Sequence, residues 1–116
     1  MTEKTFIKNL KEAPFNDELI ENWLDFFKNP ETLQDFIEAT EAMNRVWITM
    51  REETTPDEFI NKTIYLHYED VPRVLVYPML LNACDEIRTA FILERAMASV
   101  VHFKVGEMDV FDLRGA

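Results

Sequence analysis

The sequence predicts an α+β domain, with N-terminal helices packed on a mostly antiparallel sheet and a further helix between strands three and four. Three observations carry that expectation. Apolar residues recur at helical spacing as far as Thr40, and from Asn44 the rhythm shortens to strict alternation. The last stretch, SVVHFKVGEMDVFDLRG, then holds two alternating runs on either side of VGEM, the pattern of a hairpin.

The elements follow in order. Residues 3–12 place Phe6, Ile7 and Leu10 on one side of a short first helix that Pro14 ends. Asn16 is the N-cap expected for a second helix, with Asp17, Glu18 and Glu21 in its early turns, where the helix dipole favours negative charge. Ile20, Trp23, Leu24 and Phe27 form its apolar stripe. KNPET punctuates the chain, because Asn29 can cap and Pro30 fits the first helical position. A third helix then turns Leu33, Phe36, Ile37 and Thr40 inward.

NRVWITMREE alternates Val46, Ile48 and Met50 with Trp47, Thr49 and Arg51, and reads as the first strand. Thr55 to Glu58, with Pro56 between them, matches a capping box and predicts a single helical turn. KTIYLHYE alternates again, DVP is a turn, and RVLVYP is a third strand stopped by Pro78. From Met79 to Ala98 the absence of Gly and Pro predicts one long helix, with Leu80, Ala83, Cys84, Ile87, Ala90 and Phe91 on its apolar side. The terminal hairpin closes the chain. There are no internal repeats and no linker.

With 116 residues, 47% of them hydrophobic and 12% aromatic, the chain has the apolar surface of one domain spanning residues 1–116. It has too much for a disordered segment. Only Gly106 and Gly115 are present, which excludes the glycine-rich loops that cradle phosphates. No apolar run approaches the roughly 20 residues a membrane span needs. The N-terminal MTEKTFIKNLKEA lacks the apolar core of a secretory signal. Together with one cysteine, Cys84, this points to a soluble cytoplasmic protein.

Charge is the most informative feature. The net charge is −10, which repels phosphate backbones, so direct nucleic-acid binding is not expected. Residues 17–42 hold eight carboxylates and one lysine, Lys28. Glu21–Asp25 and Glu31–Asp35 are like pairs at four-residue spacing, and Asp35–Glu38 and Glu38–Glu41 at three. Each costs about 0.2–0.5 kcal/mol. A face built only for solubility could mix its signs, so the excess points to a basic protein partner. Glu21, Asp25, Glu31, Asp35, Glu38 and Glu41 are the expected contact residues, with Trp47 or Tyr65 as an aromatic anchor.

Other chemistries find less support. His67 and His102 have no metal-ligand spacing, so neither a metal nor another cofactor is expected. A small hydrolase or transferase using His67 with Glu69 or Cys84 is the alternative, yet Cys84 falls on an apolar helical stripe, where a cysteine behaves as a small core residue. A self-associating structural subunit, a homodimer for example, is a third reading. Small acidic domains without catalytic motifs occur among immunity proteins, inhibitors and adaptors. By that analogy the expectation is a non-enzymatic protein that binds a basic partner and inhibits it by covering a nucleic-acid-binding surface.

Overall fold

Six helices carry the fold in the computed structural model, which describes the backbone of residues 1–97, 99–105 and 108–114 and the side chains of residues 1–93. They are α1 (Glu3–Lys11), α2 (Asp17–Phe26), α3 (Pro30–Met50), α4 (Pro56–His67), α5 (Arg73–Asn82) and α6 (Asp85–Met97). Ser99–Val105 (β1) and Met108–Arg114 (β2) pair antiparallel, with His102 opposite Phe111. Gly106 and Glu107, in the expected turn, lie outside the described residues.

The domain is therefore helical, and the α+β expectation is overturned. All three segments expected as strands before Pro78 are helices, so the only strands among the described residues are the terminal β1–β2 pair, which meets α2 and α5. The first of them is the second half of α3. Its burial continues the helical spacing of Leu33, Ile37 and Thr40 through Met43 and Trp47, while Val46 and Ile48 are 46% and 53% exposed. The alternation of β-branched residues was real in the sequence, but it does not follow the buried face. In α4 the expected single turn extends to His67, because Phe59, Ile60, Thr63 and Ile64 make a continuous buried face.

Helix α5 shows no amphipathic rhythm for a different reason. Val74 and every residue from Val76 to Asn82 are buried, so it is apolar on all sides and runs through the middle of the molecule. It packs against α1, α3, α4 and α6. The long helix expected from Met79 is two helices, broken where Ala83 turns extended (φ −70°, ψ −173°). Asn82, 2% exposed, holds that corner. Its amide donates to the Pro78 carbonyl (2.8 Å), and its oxygen accepts from Asn9 Nδ2 of α1 (2.8 Å).

The helix starts follow local chemistry. Asn16 Oδ1 accepts from the Leu19 amide (2.8 Å), and Asn29 Oδ1 from both Glu31 (2.9 Å) and Thr32 (3.2 Å), with Pro30 at the first helical position. Thr55 Oγ1 accepts from the Glu58 amide (3.3 Å). The Glu58 carboxylate, however, accepts from the Thr54 hydroxyl (3.1 Å) and not from the backbone, so the box closes through a neighbouring side chain. Inside, Phe15 from the α1–α2 connection lies edge-on to Trp23 (5.0 Å) and stacks on Tyr77 (5.6 Å) and Phe91 (5.9 Å), tying α2, α5 and α6 together.

Candidate interaction surface

One face of α3 combines charge and apolar surface. Glu31, Asp35, Glu38, Ala42, Val46 and Thr49 recur at three- and four-residue spacing, so they form one stripe along the helix. It lies opposite the buried Leu33, Ile37, Thr40 and Trp47. The stripe is acidic over its first two turns, and from Ala42 onward its residues are uncharged, with the exposed Arg45 along its edge. At 1.5 Å per residue it is about 22 Å long from Glu31 to Val46.

The exposed carboxylates of α2 and α3 are mostly without cations among the described residues. Glu21, Glu31 and Asp35 are exposed and make no ion pair among the described residues. Asp25 pairs with Lys28 of its own helix end (3.0 Å), a contact that is open to solvent on both sides. Glu38 accepts a long hydrogen bond from Gln34 (3.5 Å). Glu41 differs from the rest, because the N-terminal ammonium group of Met1 approaches it at 3.0 Å. Exposed pairs of this kind contribute about 0–1 kcal/mol, so they leave the face negative.

The two aromatic candidates part company. Trp47 is 2% exposed, and its indole N–H donates to Glu86 Oε2 (3.0 Å), linking α3 to α6. It is a core residue and presents no surface. Tyr65, by contrast, is 67% exposed on the outer side of α4, beside Leu66 with the same exposure.

Sequence reasoning missed a cleft of about 390 Å³ between α3 and α4, lined by Ala42, Met43, Val46, Phe59, Thr63, His67 and Tyr68. The expectation that Val46, Thr63, His67 and Tyr68 lie on strands hides it. Thr63 and His67 are one turn apart on the same face of α4 and supply polar atoms to an otherwise apolar lining. Burial raises the Tyr68 phenol above its ordinary pKa of 10.0.

The residues of the alternative, enzymatic reading do not assemble. His67 lines the cleft, Cys84 sits half-buried at the start of α6, and Glu69 is exposed in the turn after α4. Neither Glu69 nor Cys84 is part of the cleft wall. His102 is on β1, and its side chain lies outside the described residues. Among the described residues no three His, Cys, Asp or Glu side chains are grouped to hold a metal. No helix among them is long and apolar enough to cross a membrane. No protein-family model, curated protein or solved structure matches this chain.

Proposed function

We propose that this protein binds a basic protein partner through the outward faces of α2 and α3 and inhibits it by occupying the surface that would otherwise meet phosphates. The observation that carries this reading is the set of exposed carboxylates at Glu21, Asp25, Glu31, Asp35 and Glu38, which among the described residues meet one side-chain cation, Lys28. Such a face raises the rate of encounter with a positive surface and fixes its orientation. A cytoplasmic setting fits the reading, since the free thiol of Cys84 stays reduced there.

The test separates a particular face from overall charge. Glu31→Lys, Asp35→Lys and Glu38→Lys are combined in one variant. Glu12→Lys, Glu52→Lys and Glu53→Lys, all exposed positions, are combined in another with the same change in net charge. Binding of a lysine-rich helical peptide is measured by calorimetry at low and physiological salt. The first variant loses binding by about tenfold or more, the second loses much less, and wild-type binding weakens as the screening length shortens to about 8 Å. Equal losses in the two folded variants would show that only net charge matters and would sink the proposal.

A further inference from the structure

The cleft between α3 and α4 opens on the same stripe of α3 that carries the acidic residues. Glu38 precedes Ala42 by one turn and Val46 by about two, a separation of roughly 6–12 Å along the helix axis. A partner that lays cations over Glu31, Asp35 and Glu38 therefore has its next turn or two over the cleft. The volume of about 390 Å³ is at the small end of the range of about 300–1,000 Å³ typical of built pockets. It suits one large side chain better than a whole segment.

The lining says which side chain. Ala42, Met43, Val46 and Phe59 offer apolar and aromatic contact. Thr63 is 8% exposed and lines the cleft, yet its hydroxyl has no hydrogen-bond partner among the described residues. Because that hydroxyl opens on the cleft, a group seated there can bond to it. The His67 imidazole, one turn further along the same wall, is likewise without a hydrogen bond among the described residues. Both can donate or accept. An aromatic side chain with a polar tip matches this arrangement, since its ring packs on Phe59 and Val46 while its tip meets Thr63 or His67.

The geometry points to a two-part docking site: the cleft receives a tyrosine-type anchor from the basic partner, one or two helical turns from the lysines or arginines that meet Glu31, Asp35 and Glu38. This rests on the acidic-face reading and adds to it the partner's recognition element. Buried aromatic anchors dominate binding energy at many interfaces, whereas exposed charges mainly set rate and register. The two halves of the stripe divide those roles.

The experiment uses the full chain and three alanine-based helical peptides. Each has lysines roughly one and two turns on either side of a central Tyr, Phe or Ala. Calorimetry with wild type is expected to show the Tyr peptide binding about tenfold tighter than the Ala peptide, with Phe between them. Val46→Trp, which fills the cleft from an exposed position, removes the preference for Tyr, so that the Tyr and Ala peptides bind alike. Thr63→Val, a substitution of similar shape, makes Tyr and Phe equivalent. Thermal unfolding of each variant confirms that it is folded, and the Thr63→Val comparison decides the matter if Val46→Trp is not. Equal binding of the Tyr and Ala peptides to wild type would overturn this inference and leave the acidic-face reading standing. Failure of all three peptides to bind would overturn both. A Tyr preference that survives in folded Val46→Trp would show that the anchor binds elsewhere.

Discussion

The indole N–H of Trp23 on α2 donates to the backbone carbonyl of Val74 on α5 at 3.0 Å. That carbonyl is the one Pro78 leaves unpaired. A residue at position 78 with an amide hydrogen would bond back to Val74, four residues earlier, and proline cannot. Val74 is 1% exposed and Trp23 fully buried, so water does not serve in its place. A proline inside a central helix is thus accommodated by a donor from a neighbouring helix.

The pairing makes a measurable prediction. Trp23→Phe keeps most of the apolar bulk but strands the Val74 carbonyl, at a cost of about 1–3 kcal/mol for the unsatisfied group besides lost packing. In a Pro78→Ala background the helix supplies its own amide, so the same substitution costs less. A double-mutant cycle by urea unfolding should show coupling of roughly 0.5–3 kcal/mol between the two positions. Strict additivity would mean that the Trp23 contact does not compensate for Pro78.

The same pair explains why the centre of the fold was illegible in the sequence. RVLVYP is short, apolar, rich in β-branched residues and ends in proline, which is the description of a strand. The helix nevertheless continues through Pro78, with Trp23 of α2 bonded to the carbonyl that the proline leaves open. What was legible was local. Asn16, Asn29 and Thr55 cap where their side chains and the following residues said they would. The stripes of α2 and early α3 are buried as their spacing required. Legibility ends at Asn44, where the rhythm of the sequence shortens. That residue sits inside α3 with its side-chain oxygen buried and without a partner among the described residues, a cost outweighed by burial of Met43 and Trp47 on either side. The carboxylates of the candidate surface were legible as charge, but the cleft beside them depends on α3 and α4 both being helical.

Position 48 distinguishes the two descriptions of that segment directly. In a strand with Val46, Ile48 and Met50 inward, Ile48→Lys would place a charge in the core. In α3, Ile48 is 53% exposed and Met43 is 4% exposed. Ile48→Lys is therefore expected to change stability by within about 0.5 kcal/mol. Met43→Ala should cost about 2–5 kcal/mol through lost contacts and the cavity left behind. Thermal or denaturant unfolding measures both. A severe loss from Ile48→Lys with a mild one from Met43→Ala would mean that the segment buries its other face.

Tyr68 adds a dependence on alkaline pH. Burial of the ring beside the cleft disfavours the phenolate and raises its pKa above the 10.0 of an exposed tyrosine. Between the unfolded and folded values the native state holds a proton that the unfolded chain has lost, so stability falls as pH rises through that interval. Below about pH 10 the contribution is intact. Tyr68→Phe removes the titrating group while keeping the ring, so stability lost between neutral pH and about pH 11 should be smaller in the variant than in wild type. Urea unfolding across that range, with the wild-type phenol titrated by its ultraviolet absorbance, measures it. A pH profile identical in the two proteins would show that Tyr68 ionises as freely in the folded chain as in the unfolded one.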